Sequence, residues 1–446
     1  MSTVSLGIVI PTRNRAQLAI NACQSLLAQP GCDFRVFVSD NSTQPEELAR
    51  LSSYCAGAGT TRLIYLKPPQ PLPMATHWDW ALRTAMAAID ATHFNVHYDR
   101  RITKPGHLAL VCEVMSEFPD DVVTWTLDVI ADEPGVSVVG QIPWDGNVYA
   151  VPTARVVEMT VKGQIAEMGQ AFPILSNCAV PRPVLSNIVQ RFGSICDSTA
   201  PDSSFTYRFC ATHDRYLHFD RPIGIIYGFD RSTGAGFMRG QGGDFPDFME
   251  WWGDRPWLDA APIPGLNLGQ NVLFHEYELV RRVTENPAFL PVERDGYLRE
   301  LASSLKFVDD RPRASALRDI LLQHGWDPKF EPVKKPRMGA ATGPRVRDGL
   351  PWLRRFILDT LDQVLAGRGR AMRMKIRLAL EKHFRVELDD ITGFEYSTEA
   401  EAVRQTLALP RKRSATNPLL DWLDGVDVLS LGMRPETAPL MRAEDA

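Results

Sequence analysis

No run of about 18 or more apolar residues occurs in the chain, so no membrane-spanning helix is expected. Met1 to Leu6 lack the basic flank and apolar stretch of a secretory signal, which leads to the expectation of a cytoplasmic protein. Cysteine is sparse and scattered: Cys23, Cys32, Cys55, Cys112, Cys178, Cys196 and Cys210 stand singly, with no C-x-x-C pair and no histidine cluster. That excludes a zinc site of the usual spacing and predicts reduced thiols packed as small apolar residues rather than a disulfide frame. A surplus of one charge is also missing. The net charge of −5 over 446 residues argues against nucleic acid as a partner, so any basic patch must be local. No glycine-rich phosphate loop follows the first apolar run, which ranks a nucleotidyltransferase low. No internal repeat occurs.

What is present is an alternation of short β-branched runs with helical periodicity. Val4 to Ile10, closed by Pro11, predicts a strand, and Asn14 to Gln29, stopped by Pro30 and Gly31, predicts a helix. Phe34, Val36 and Val38 alternate with Arg35, Phe37 and Ser39 in a second strand that runs into Ser39-Asp40-Asn41-Ser42. Further strands are expected at Arg62 to Leu66, Phe94 to Tyr98 and Val122 to Ile130, with helices at Met74 to Ile89 and Gly106 to Phe118. This spacing predicts an α/β layer on a largely parallel sheet, whose ligands sit beyond the carboxyl ends of the strands, where Thr12, Asp40 and Asp99 fall. Residues 131 to 170 read as a small β insertion. Pro183 to Phe192 predicts a helix, and Arg231 to Pro264, dense in Gly, Pro and Trp, a long loop or lid. Tryptophans there suit stacking on a sugar ring or simple packing of the loop.

After Phe330 the composition changes. Residues 331 to 343 read as a linker, and Gly349 to Phe384 as helix carrying Arg354, Arg355, Arg368, Arg370, Arg373 and Arg377. A solvated face is the commoner outcome for such a helix; contact with an anionic membrane at its inner face is the other. Three regions are therefore expected: 1–230 as the catalytic domain, 231–330 as its lid-like and helical completion, and 331–446 as linker and basic helical extension.

V-S-L-G-I-V-I-P-T-R-N-R, F-R-V-F-V-S-D-N-S, M-A-T-H-W-D-W-A-L and A-P-D-S-S-F-T-Y-R-F occur in that order over residues 4 to 230. In this the chain resembles the family-2 inverting glycosyltransferases with a GT-A fold. The resemblance implies transfer of a sugar from a nucleotide-diphosphate donor to the hydroxyl of a glycan or lipid-linked acceptor, as in surface polysaccharide or glycoconjugate synthesis. Pro11, Thr12, Arg13 and Arg15 would shape the nucleotide slot, and Asp40, Asn41 and Asp99 would hold base and ribose. For Thr12 a helix cap, and for Asp40 a turn-stabilising role, are the plain alternatives.

Asp99-Arg100-Arg101 occupies the place of the family's D-x-D motif, with the first acid kept and the third position changed to arginine. A divalent ion would ordinarily neutralise the leaving diphosphate there. Paired guanidinium groups are always charged and make forked bonds to phosphate, so Arg100 and Arg101 are expected to stabilise the leaving group. Manganese or magnesium would then be needed weakly or not at all, with Asp99 the ligand if one is used. The alternatives are a surface turn or a site that has lost catalysis and only binds nucleotide or glycan. Asp202 is the expected general base, against a plain N-cap role, with Asp197 and Asp214 as substitutes. His77 stands where the family often has an amide. His275 could imitate a distal metal ligand, although both read more simply as partly buried histidines.

Overall fold

The expected first strand and helix are β1 (Ser5–Thr12) and α1 (Ala16–Leu27), followed by β2 (Asp33–Asp40). The computed structural model describes residues 4–328, apart from 134–135, 141–143, 229–230, 240–248, 250–251, 253–256 and 309, together with 395–396 and 427–429. Alternation of helix and strand continues with α2 (Pro45–Gly57), β3 (Leu63–Leu66), α3 (Met74–Ala88), β4 (His93–Val96), β5 (Arg101–Thr103), α4 (His107–Glu117) and β6 (Val123–Glu133). The 131–170 region contains β7 (Val136–Gly140), β8 (Val148–Pro152) and α5 (Thr153–Val161). Then come β9 (Cys178–Pro181), α6 (Arg182–Phe192), α7 (Pro201–Thr212) and β10 (Arg215–Ile226). Helices α8 (Thr233–Arg239), α9 (Gly269–Arg281), α10 (Arg294–Ser304) and α11 (Arg311–Gln323) follow.

The strands join in the order β12-β8-β10-β6-β9-β4-β1-β2-β3, where β12 is Asp427–Leu429. The block β3-β2-β1-β4 is parallel throughout, as is the pair β6 and β10, while β9 runs antiparallel to both β4 and β6. This is the α/β plan with a mostly parallel centre. It arises because the strands are buried on both faces, as parallel strands flanked by crossover helices must be. In β2, Phe34, Val36 and Val38 pack into one hydrophobic cluster with α1 and α4, while Phe37 packs into the other with α3 and α7. In β1, Gly7 lets the ring of Phe94 lie against the strand: an added Cβ would sit 2.5 Å from it.

Two expectations need correction here. Cys32, before β2, and Cys112, on α4, are joined by a disulfide, so these two are not free thiols. A separation of 80 residues gives no pairing signal, yet the crossover through α1 returns the start of β2 to the side of the sheet that α4 covers. In the expected lid, residues 233–239 form a helix, α8, and much of the remainder lies outside the described residues.

The helical reading of Gly349 to Phe384 also lies outside the described residues. From the region beyond 331, β11 (Glu395–Tyr396) pairs with β7 and β12 with β8, both antiparallel. Among the described residues no helix is long and apolar enough to cross a membrane.

Helix α10 is tied to the sheet domain through a backbone approach that only glycine permits. A Cβ on Gly296 would lie 2.0 Å from the carbonyl oxygen of Lys162, and one on Gly163 would lie 2.1 Å from the backbone of Gly296. The N–H of Ala166 donates to Glu300 at 2.9 Å, and that of Glu293 to the Val161 carbonyl at 2.8 Å. Residues 294–304 are thereby packed onto the end of α5.

Candidate active site

The turn after β1 sets the site. Asn14 has φ of 53°, a left-handed conformation that a short polar side chain tolerates better than a bulky one. Its side-chain oxygen accepts from Thr43 N (2.8 Å) and Gln44 N (3.1 Å), and its own N–H donates to Ser42 Oγ at 2.7 Å. The β1 turn and the β2 turn are thus clipped together. Arg15, at the N-cap of α1, makes no side-chain cap; Glu47 from α2 accepts the Ala16 N–H at 2.6 Å instead.

Between these turns and the first turn of α7 lies a cavity of about 490 Å³. Its walls include Pro11, Thr12, Arg13 and Arg15 from the β1 turn, Tyr98, Asp99 and Arg100 after β4, and Thr199 to Asp202 leading into α7. Four arginines, Arg13, Arg15, Arg100 and Arg231, meet the carboxylates of Glu47, Asp99 and Asp202 on this surface. Phe237, Trp257 and Val272 supply an apolar wall.

The turn from 98 to 101 sends each side chain to a different task. Tyr98 donates its hydroxyl to Asp202 Oδ2 at 2.8 Å, and its ring stacks beneath two guanidinium groups, those of Arg100 and Arg101, each 5.3 Å from the centroid. Burial and the Asp202 charge raise the Tyr98 pKa, so the phenol stays a donor. Asp99 is buried; its Oδ2 accepts from Thr12 Oγ1 at 2.8 Å and lies 3.0 Å from Arg15 Nε. Arg100 donates to the Tyr227 carbonyl (3.2 Å) and to Ser232 Oγ (3.0 Å), while Arg15 donates to the Arg231 carbonyl at 3.0 Å. The stretch after β10 is therefore gripped by two arginines of the cleft.

Arg101 does not join them. Its side chain is 2% exposed, absent from the cavity wall, and donates to the carbonyl of Ser176. Burial lowers its pKa to about 10. The turn closed by the Arg101 N–H on the Tyr98 carbonyl (3.2 Å) leaves Arg100 on the cavity wall and starts β5 at Arg101, whose side chain is spent on Ser176. The expectation of a paired guanidinium clamp at these positions is corrected accordingly.

Asp40 is likewise turned away. It is fully buried, its Oδ1 accepts from Ser42 N at 2.9 Å and its Oδ2 from the Tyr65 hydroxyl at 3.0 Å. That is the turn-stabilising role. Asn41 does reach the cavity, but its amide is engaged at both ends by Leu72, donating to the carbonyl at 2.7 Å and accepting from the N–H at 2.8 Å. His77 lines the cavity, hydrogen-bonded through Nε2 to Ser39 Oγ at 2.8 Å. Burial and the nearby Arg13 charge push its pKa down to about 3, so it is a neutral imidazole.

Asp202 lies in the first turn of α7 rather than at its cap, which is Ala200. Its Oδ1 accepts from Ser203 N at 2.9 Å, complementing the Tyr98 bond to Oδ2. Burial raises its pKa, opposed by those two hydrogen bonds and by the positive charge of Arg100. The two substitute bases are elsewhere: Asp197 is paired with Arg208, and Asp214 is outside the cavity wall. His275 is buried away from the cavity and accepts from Ala260 N at 3.2 Å.

Asp99 already holds Thr12 and Arg15, its neighbour is arginine, and no group of three His, Cys, Asp or Glu side chains able to hold a metal occurs among the described residues. Sequence reasoning missed Tyr98, Asn14 and the contacts of Arg15 and Arg100 with Arg231 and Ser232. The first two carried a signal: a tyrosine immediately before the retained acid, and an asparagine within a turn, where positive φ is common.

No protein-family model matches the sequence, and no curated protein matches it. Among solved structures the chain is similar to a crystal structure of S. aureus TarS, with a TM-score of 0.39 and 14% identity over 72% of this chain and 52% of that one. It is also similar to TarS 1–349 in complex with UDP-GlcNAc, with a TM-score of 0.40 and 13% identity over 72% of this chain and 87% of that one. The complex of TarS 1–349 with UDP gives 0.39 and 14% identity over the same shares. The match spans about half of the longer TarS chain, at 52%. A likeness of this size carries no functional argument.

Proposed function

We propose that the protein is an inverting glycosyltransferase that moves a sugar from a nucleotide-diphosphate donor to an acceptor hydroxyl without a divalent metal. The observation that supports this is a single cavity in which a carboxylate of raised proton affinity, Asp202, faces a wall of arginines. In the reaction, the acceptor oxygen bonds to the anomeric carbon as the bond to the diphosphate oxygen breaks. The diphosphate keeps the electron pair, and the hydroxyl proton passes to Asp202. The carboxylate uses one lone-pair site for Tyr98 and one for Ser203, leaving others for that proton.

Charge accumulating on the leaving diphosphate is met by Arg100, supported by Arg13, Arg15 and Arg231 along the same wall. Asp99 orients Arg15 and Thr12 and offers its carboxylate to the ribose. Pro11, Thr12, Asn41 and the neutral His77 line the nucleoside end. Surface polysaccharide or glycoconjugate synthesis suits such a transferase, with a glycan or lipid-linked acceptor, and the arginine-rich stretch beyond 349 offers contact to an anionic membrane.

The test is binding and turnover with the purified protein. UDP- and GDP-hexoses are expected to raise its melting temperature and to be consumed equally with and without chelator. Turnover abolished by chelator and restored by manganese would remove the metal-free mechanism. Binding without turnover in any condition would instead support a nucleotide- or glycan-binding protein that has lost catalysis.

A further inference from the structure

The segment Thr199-Ala200-Pro201-Asp202 lines the cavity at four successive positions and leads α7 into the site. Tyr98 holds Asp202 and the Ser204 N–H holds the Ala200 carbonyl, but the other polar groups of the segment have few partners. Pro201 has no N–H, and the Thr199 hydroxyl is buried without a hydrogen-bond partner. The N–H of Ala200 is taken by Glu276 of α9, whose Oε1 accepts it at 2.8 Å. Glu276 is 1% exposed, and one helical turn before it Val272 forms part of the cavity wall and of the apolar cluster against which Ala200 packs.

We infer that Glu276 is a positioning residue that holds the Ala200 N–H from α9 and so fixes the height at which α7 presents Asp202 to the cavity. The inference rests on the proposed transferase reading. The carboxyl acts in its protonated form around neutrality, where its carbonyl oxygen accepts without placing a charge in the interior. Burial above all raises its pKa, opposed by the Ala200 N–H, Ser198 and Arg208 and helped by Asp197, to a net value of about 8. The groups facing it are the Arg208–Asp197 ion pair and Tyr207 of α7. Ionisation would strengthen the bond to the Ala200 N–H itself but would bury a second carboxylate beside Asp197 in competition for Arg208, unsettling the ion pair whose arginine also braces Ser194.

The experiment measures hydrolysis of UDP- and GDP-hexoses by the full-length protein, with donor affinity followed separately by calorimetry. Glu276→Leu removes the acceptor and is expected to lower kcat about tenfold or more, with donor affinity within about twofold. Glu276→Gln keeps an acceptor oxygen that cannot ionise. It is expected to retain the rate at neutral pH and to lose the alkaline decline of the unmodified protein. Full turnover by folded Glu276→Leu, or a Gln variant as slow as the Leu variant, overturns the role. If Glu276→Leu does not fold, the pH profile of Glu276→Gln decides: an alkaline limb unchanged from the unmodified protein overturns the role. No turnover by the unmodified protein overturns the transferase reading and this role together, whereas turnover indifferent to position 276 overturns this role alone.

Discussion

Tyr98→Phe isolates the contact on which the proposed base depends. The substitution deletes one hydroxyl, the donor to Asp202 Oδ2 at 2.8 Å, and keeps the ring that packs on Trp78 and under Arg100 and Arg101. A hydrogen bond to a charged partner contributes about 1.5–3 kcal/mol. Here it favours the ionised carboxylate, so its loss raises the pKa of Asp202 beyond what burial already does. A general base works when deprotonated. The rate of the variant should therefore fall off at higher pH than that of the parent, and on the acid side it should be slower by about tenfold or more. Well above that limb the two rates should converge, because Ser203 N still orients the carboxylate. The assay is donor hydrolysis by stopped-time product analysis across pH, with donor affinity as control. An acid limb that stays where it was, with the rate lowered equally at all pH values, would refute the assignment of that limb to Asp202.

The two arginines of the turn should separate cleanly. Arg100→Met is expected to weaken nucleotide-diphosphate binding about tenfold or more, as loss of a charge-assisted phosphate contact does. Arg101→Met should leave calorimetric affinity within about twofold, since its side chain serves the Ser176 carbonyl. Reduction, or Cys32→Ser, should lower stability in urea titrations by about 4.5 kcal/mol at most, the chain-entropy value for a loop closed across 80 residues. Stability should also fall as pH rises. Glu276 has a native pKa of about 8, above its ordinary value of 4.5, so the native state holds a proton that the unfolded chain has released. Its contribution is complete below the ordinary value and is lost as pH climbs through the native one. The same denaturation series on Glu276→Gln should be flatter across that window.

Strand parity explains both what was legible in the sequence and what was not. The alternation in Phe34 to Ser39 gave the strand, and the helical spacing after it gave the crossover, because burial on a sheet imposes those periods on any sequence that adopts it. The elements around the cleft, and the place of Asp99 and Asp202 on it, follow from order along the chain. Parity in β2, and turn geometry before β5, also decide which way each of two neighbours points. Ser39 turns to His77 while Asp40 turns to Tyr65, and Arg100 enters the cleft while Arg101 passes beneath it. A charge motif read as a string of letters counts both members of each pair. Register decides it for Thr12 beside Asp40, and the turn that ends where Arg101 pairs with Ile226 decides it for the two arginines. The disulfide and the Glu276 contact join residues far apart in sequence, and no local pattern encodes them. The cationic character of the cleft nevertheless survives the loss of Arg101, since Arg13, Arg15 and Arg231 approach it from two other turns. A diphosphate would thus be neutralised by charges gathered from three separate segments, each held by backbone contacts to another. Altering any one of these turns should therefore weaken donor binding more than the removal of a single charge predicts.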